Sequence, residues 1–239
     1  MASKGKRYAE ARQKIDRTRE YTLEEAVAIL KSLPTAKFDE TVEVHMNLNV
    51  DVRQADQQVR STVMLPAGTG QEVRVLALVE GEAVQAATDA GADYVGTDEY
   101  IEQIQEGWLE FDVAVAIPQV MGKIGRLGRV LGPRGLMPNP RAGTVVQAED
   151  IGAAIEELKQ GRVEFRTDRT ANLHIPLGKL SFSEEDLMRN LTAVMDAVVA
   201  ARPAAARGRY IRRAVLTSTM GPGIILDTSS LVARRAAAD

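Results

Sequence analysis

The sequence predicts an α/β protein with a small doubly wound parallel layer in its middle. Three observations predict it. Two runs, residues 73–79 and 113–117, are almost wholly apolar, as strands covered on both faces are. Short helical segments lie between them, and apolar strands alternating with helices build a parallel sheet. On either side of this middle the pattern changes to strands that alternate apolar with polar residues and to helices with caps.

Residues 22–33 read as a helix. Thr22 and Glu25 form a capping box, so the free N–H groups of the first turn find acceptors, and Pro34 stops the helix. Residues 40–48 alternate, with Val42, Val44, Met46 and Leu48 on one side and Glu43, His45 and Asn47 on the other, which is a half-buried strand. Residues 59–65 form a second strand, ended by Pro66 and a turn at 68–70. The first apolar strand leads into an alanine-rich helix ending at Gly91, then a brief strand at 93–95 and a helix at 98–106. The second apolar strand is followed by a basic stretch with six glycines between 121 and 143. Pro133, Pro138 and Pro140 make 132–143 a structured loop, because prolines at that density cannot continue a helix.

Residues 151–159 return to helix. Residues 163–165 start a strand, 166–172 are a turn-rich basic connector, and 173–175 are a short strand. The strongest helix is 184–200. Ser183 caps it, Asp186 completes a box-like pair, Phe182 is placed to staple onto Leu187, and Leu187, Leu191, Val194 and Val198 share one face. Residues 201–209 read as a basic, alanine-rich loop and 210–219 as a strand. Gly221-Pro222-Gly223 breaks that strand, 224–226 is another, and 231–239 is a frayed tail.

The 239 residues carry 30 Lys+Arg and 33 Asp+Glu, a formal charge of −3. Taken whole, this counts against a nucleic-acid partner, whose usual footprint is basic. The charges are segregated, however. Residues 71–112 hold eleven acids and one base, whereas 121–141 and 202–213 each hold five bases and no acid, and 4–19 hold seven bases and two acids. Local fields of this kind are not reported by net charge. The absence of cysteine excludes a disulfide scaffold, a thiolate zinc site, an iron–sulfur cluster and a cysteine nucleophile. His45 and His174 have no evident third metal ligand, and His45 lies on the polar side of its strand, which suits hydrogen bonding. No apolar run approaches the roughly 20 residues of a membrane helix. Residues 1–14 have no apolar stretch behind their basic residues, so a soluble cytoplasmic protein without a secretory leader is expected.

Catalytic chemistry finds little support. Gly122, Gly125 and Gly128 are spaced GxxGxxG rather than GxGxxG, and Gly68-Thr69-Gly70 precedes a strand instead of joining a strand to a helix. No GxxxxGK[ST] loop occurs, Ser218 has no GxSxG context, and the carboxylates of 71–112 follow helix surfaces. No catalytic residue, cofactor or metal is expected. A small-molecule or nucleotide-binding enzyme using the doubly wound layer is the alternative reading. What survives is compatible with RNA. Basic side chains neutralise phosphate, while the hydroxyls and glycine N–H groups of 217–223 suit phosphates and 2′-hydroxyls. Four Phe and five Tyr offer no stacking platform, so shape, phosphate and sugar recognition fit better than base reading.

Five ordered segments carry a family resemblance: GKRY (5–8), AKFDETVEVH (36–45), GADYVG (91–96), LGRVLGPRGLMPNPRAGTV (127–145) and STMGP (218–222). With them the chain resembles the L-one family of bacterial ribosomal proteins, which form the mobile side stalk of the large subunit. The resemblance implies two domains: a split α+β domain from both chain ends, 1–67 and 160–239, and an inserted doubly wound, Rossmann-like α/β domain, 68–159. It implies binding rather than catalysis. The implied partners are large-subunit rRNA, deacylated tRNA leaving the exit site, and the mRNA of the protein's own operon, whose translation it would repress. The implied state is a monomer within the cytoplasmic ribosome, with no membrane partner.

By matching position, the resemblance puts the main RNA surface on the split domain. Lys37, Phe38, Thr41 and Glu43 start the first strand, and Thr217, Ser218, Thr219, Met220 and Gly221 form the other matching segment. Arg166, Asp168, Arg169, His174, Gly178 and Lys179 border that surface. Phe38 and Met220 would pack on ribose or base faces; the alternative for both is a place in the core. Arg126, Arg129, Arg134 and Arg141 are candidates for a secondary RNA contact or, with their glycine–proline loop, for a hinge or packing between domains. Divided at these boundaries, the split domain holds 23 bases and 18 acids and the insert 7 bases and 15 acids. The acidity therefore belongs to the insert. The arginines of 202–213 match no segment of the resemblance.

Overall fold

A computed structural model describes residues 5–228. In chain order its elements are α1 (Lys6–Gln13), α2 (Leu23–Ser32), β1 (Thr41–Leu48), β2 (Arg60–Met64), β3 (Val75–Leu78), α3 (Ala83–Asp89), β4 (Tyr94–Gly96), α4 (Asp98–Glu106), β5 (Val113–Ala116), α5 (Met121–Ile124), α6 (Gly128–Leu131), α7 (Ile151–Gln160), β6 (Arg162–Arg166), β7 (Asn172–Lys179), α8 (Glu184–Ala200), β8 (Ile211–Ser218) and β9 (Ile224–Leu226). By its contacts the mixed α/β chain divides into two compact units, the described residues of Met1–Gly70 with Val163–Asp239, and Gln71–Arg162. The tail at 231–239 lies outside the described residues.

The first unit is built on an antiparallel sheet of order β7-β1-β8-β9, with β2 and β6 paired separately. The alternation in β1 is realised: Val42, Val44, Met46 and Leu48 are buried, and the residues between them are not. Leu23, Val27 and Leu30 of α2 and Leu187, Leu191, Val194 and Val198 of α8 belong to the same core. Both caps form. The Thr22 hydroxyl accepts from Glu25 N–H while Glu25 accepts from Thr22 N–H, and Ser183 accepts from Asp186 N–H. Inside this core Asn190 is fully buried. Its Oδ1 accepts from Ala67 N–H at 2.9 Å, and its Nδ2 donates to Gly68 O at 2.9 Å and Leu177 O at 2.7 Å.

The structure corrects the expectation in three places. The short strand at 173–175 is in fact the eight-residue β7. Pro176 and Gly178 look like breakers, but β7 is an edge strand, where proline is tolerated, and a bulge between Val42 and Glu43 absorbs the register step. Residues 6–13, read only as a basic cluster, form α1. It buries only Ala11, so no apolar face announced it. The glycine-rich 121–131 is largely helical, with Val120, Ile124, Leu127 and Leu131 fully buried at helical spacing. Its glycines lower helix propensity and hide that pattern. At Gly132 a Cβ would lie 2.5 Å from Gly128 O, so the close turn excludes a side chain.

The second unit has a parallel sheet of order β4-β3-β5, with every residue of β3 buried. This is the layer that the apolar runs predicted. Not every acid of 71–112 merely solubilises a helix. Asp93 accepts from Val75 N–H at 2.9 Å and pairs with Lys159 at 3.2 Å, while Asp112 accepts from Arg74 N–H at 3.0 Å. After β5 the chain enters a helical turn through Pro118. Among the described residues no helix is long and apolar enough to cross a membrane.

Candidate nucleic-acid interface

Because side chains alternate along a strand, burying Val42, Val44, Met46 and Leu48 turns Thr41, Glu43, His45 and Asn47 to the other face of the sheet. Directly opposed residues of antiparallel strands share a face. Four cross-strand rows follow from the register. Thr41 stands beside Lys179, Glu43 between Pro176 and Thr217, His45 between His174 and Val215, and Asn47 between Asn172 and Arg213. All are half-buried or exposed. At the first row Lys179 Nζ donates to Thr41 Oγ1 at 3.0 Å, Thr219 N–H to Thr41 O at 3.0 Å, and Thr41 N–H to Thr219 Oγ1 at 3.0 Å. Residues 138 to 178 positions apart in sequence thus form one polar end.

That end is held from below by Glu40, only 1% exposed. One carboxylate oxygen accepts from Ala36 N–H at 2.6 Å and from Arg7 at 3.2 Å; the other accepts from Ser218 Oγ at 2.7 Å and Met220 N–H at 2.9 Å. Burial alone would push this carboxyl up. The hydrogen bonds from Ser218, Met220 and Ala36 and the charge of Arg7 outweigh it and hold Glu40 below the usual range. Arg7 Nη2 also reaches Met220 O at 3.4 Å, which ties α1 to the same loop. Neither Glu40 nor Arg7 stood out in the sequence. Both lie inside the segments that carried the resemblance, but nothing local shows a carboxylate being buried.

The residues expected at the site separate into two groups. Lys37, Phe38, Thr219 and Met220 are exposed, and Thr41, Glu43, Thr217, Gly221 and Lys179 are partly so. Phe38 is 55% and Met220 51% exposed, which decides against a core role for either. Ser218 and Gly178 are inside the unit. Ser218 holds Glu40. Gly178, at φ +142°, lies under the Phe182 ring, where a Cβ would come within 2.8 Å of the aromatic carbons. Both shape the surface without forming it. Gly221 has a similar reason, since a Cβ there would meet Ser218 Oγ at 2.5 Å.

Arg166, Asp168 and Arg169 line a cleft of about 330 Å³ with Val52, Arg53, Gln58 and Thr167. Asp168 organises the connector before β7, accepting from Thr170 N–H and Asn172 N–H at 2.8 Å each. Burial would raise its carboxyl; these bonds and those from the Thr170 hydroxyl and Asn172 amide outweigh it and hold Asp168 far below the ordinary carboxylate range. His174 sits in the third row beside His45, which was not among the expected site residues. Only the register brings the two together. The arginine-rich 202–213 is partly scaffold: Arg202 donates to Ala206 O and Gly208 O at 2.9 and 3.0 Å, Arg209 bonds Thr228, and Arg212 donates to Asn49 at 2.6 Å. In the second unit Lys123 is tied to Glu80 and Asp98. Arg126, Arg129, Arg134 and Arg141 are exposed there, with no side-chain hydrogen bond or ion pair among the described residues. Among those residues no group of three His, Asp or Glu is placed to hold a metal ion.

A sheet face lined with hydroxyls, amides and basic groups, with two bare apolar side chains at its edge, suits a ribose–phosphate partner better than a small substrate. Residues 30–222 match the ribosomal protein L1p/L10e family. The chain belongs to this family. Over 232 residues it is 52% identical to the large ribosomal subunit protein uL1 of Kosmotoga olearia, covering 97% of this chain and 100% of that protein. It is 55% identical over 228 residues to the uL1 protein of Chloroflexus aurantiacus (95% and 96% covered) and 53% over 232 residues to that of Thermosipho melanesiensis (97% and 99% covered). As a member of the L1p/L10e family the chain is a ribosomal protein of the cytoplasmic ribosome, and the enzyme reading of the doubly wound layer falls.

Proposed function

We propose that this L1p/L10e family member is a structural constituent of the large ribosomal subunit that binds large-subunit rRNA through the outer face and polar end of the antiparallel sheet. One observation carries the reading. Phe38 and Met220, two of the few exposed large apolar side chains, flank the buried Glu40 that fixes the hydroxyl-rich end between them. Isolated in water they gain nothing. Against ribose or a base face they exclude water from the neighbouring hydrogen bonds of Lys37, Thr41, Thr217 and Thr219. Arg166, Arg169, His174 and Lys179 extend the surface along β7. Charge supports the assignment: the unit holding this face has 22 bases and 18 acids, the other 8 and 15.

In this reading the two compact units are a split RNA-binding domain, 1–67 with 160–239, and an inserted domain, 68–159. The contact division falls within about three residues of those limits. The bound protein forms a mobile side stalk that assists departure of deacylated tRNA from the exit site. The same face binds a similar structure in the mRNA of its own operon and represses translation, so rRNA and that mRNA compete. The unpaired Arg126, Arg129, Arg134 and Arg141 supply a secondary RNA contact. Filter binding of the full chain to a large-subunit rRNA transcript tests the core of the proposal. Affinity should fall steeply with salt. Met220→Ala should weaken it by about 1–3 kcal/mol while the fold is kept, because the side chain is exposed. A folded protein that binds no rRNA at low salt overturns it.

A further inference from the structure

The two histidines of the chain, 129 residues apart, are cross-strand neighbours on the outer face, and their rings meet through like atoms. His45 Nδ1 and His174 Nδ1 lie 2.8 Å apart, with the rings edge-on and centroids 4.9 Å apart. Each remaining ring nitrogen faces a carboxylate: His45 Nε2 is 3.5 Å from Glu43, and His174 Nε2 is 3.6 Å from Asp168. These last two are ion-pair distances rather than good hydrogen bonds.

Proton counting turns this arrangement into a prediction. Two neutral imidazoles own two N–H protons between them. One must lie between the facing Nδ1 atoms, since two lone pairs at that distance repel. Only one proton is then left for the two Nε2 atoms, and the other Nε2 turns a bare lone pair toward a carboxylate. A third proton completes the chain, with an N–H facing each carboxylate and one shared between the rings, at a net charge of +1. A fourth would set two N–H groups against each other. Burial and the neighbouring His174 hold His45 below the usual histidine range, against the pull of Glu43. Asp168, held far below the ordinary carboxylate range, stays ionised beside His174, the more exposed of the two rings. From β8 the residue opposite His45 is the uncharged Val215, and Arg213 stands one row further on, opposite Asn47.

We infer that His45 and His174 act as one proton-accepting element of the RNA face, taking a single proton from solvent as RNA phosphate settles beside them. The inference rests on the proposed rRNA-binding face. The pair is one row from Glu43 and Thr217, roughly 7 Å along the strand. Phosphate adds negative potential to that surface and stabilises the +1 state over the neutral one. Binding and proton uptake are then linked, and affinity rises as pH falls.

The test is binding of the full chain to a large-subunit rRNA transcript, at constant ionic strength, between about pH 5.5 and pH 8, where imidazole titrates and unpaired bases do not. The expected result is an affinity that rises by about threefold to tenfold toward low pH, the upper figure corresponding to a shift of one pKa unit on binding. His45→Gln and His174→Gln should each lose most of the rise, so that the ratio of acid-end to alkaline-end affinity falls toward one whatever the affinity of the variant at the alkaline end. Both side chains lie on the accessible face, so circular dichroism should show the fold kept. The amplitude of proton uptake on mixing in weak buffer, read with an indicator dye, gives the same count on the unaltered protein. Robust binding that is independent of pH overturns the inference and leaves the rRNA reading standing. So does a pH slope that both variants retain. Absence of binding at every pH overturns the rRNA reading itself, and this inference with it.

Discussion

Replacing Glu40 by glutamine keeps the size of the buried side chain and changes one oxygen into an NH₂ group. In the native site each oxygen serves two donors, Ala36 N–H with Arg7, and Ser218 Oγ with Met220 N–H. The amide must turn its NH₂ toward one of these pairs. Toward Ala36 and Arg7 it would meet an N–H and a guanidinium, neither of which can accept. Toward Ser218 and Met220 it meets a hydroxyl that can rotate to accept, so this is the orientation adopted. Met220 N–H is then left without its acceptor, and Arg7 loses a charged partner. A stranded buried donor costs about 1–3 kcal/mol, and weakening the half-exposed Arg7 pair adds less than about 1 kcal/mol. Glu40→Gln should therefore lower stability by about 2–3 kcal/mol. Glu40→Ala, which removes all four contacts from a site 1% exposed, should cost about 3–5 kcal/mol. The single tryptophan, Trp108, belongs to the other unit, so the assay is urea unfolding followed by far-ultraviolet circular dichroism. The acid limb adds a check. Glu40 is depressed in the folded state, so its contribution is present above the unfolded carboxylate pKa and is lost as pH falls through the lower folded value. The glutamine variant should lack that part of the acid sensitivity. A Glu40→Gln protein as stable as wild type, to within about 0.5 kcal/mol, refutes the reasoning.

Asn190→Ala strands Ala67 N–H, Gly68 O and Leu177 O in a fully buried site, and calorimetry should show a loss of about 2–4 kcal/mol. Asp168, held far below the ordinary range, should keep its charge as pH is lowered from neutrality, with carboxyl NMR shifts showing no titration step above about pH 3. Its contribution is present above the unfolded carboxylate pKa and is lost only as pH falls through the much lower folded value, so the connector before β7 should stay ordered in mild acid.

Much of the fold was legible because its causes are local. A capping box needs two residues three apart, and Thr22 and Glu25 supply them. A half-buried strand needs alternation, and 40–48 has it. The elements that were missed lack such signals. Helix α1 buries a single alanine, and the helical turns around Gly125 and Gly128 are made of residues that weaken a helix. Strand β7 was cut short because Pro176 carries one meaning in a central strand and another at an edge, and the sequence does not say which strand is the edge.

For the site, the ordered segments from GKRY to STMGP pointed to the right family and to Lys37, Phe38, Thr219 and Met220, all of which prove exposed. They could not separate surface from support: Ser218, drawn from the same stretches, is buried, as is Gly178 from the bordering group. By itself the sequence determined most of the elements, the parallel layer of the middle, the basic balance of the two ends and the family. Only the tertiary structure decided that β1 lies between β7 and β8, and with that pairing came the Glu40 cluster, the polar end at Thr41 and the contact between His45 and His174. The reason is physical. Capping and periodicity act between residues a few positions apart, whereas burial of a carboxylate or the meeting of two rings depends on which distant strand closes against which, and in what register.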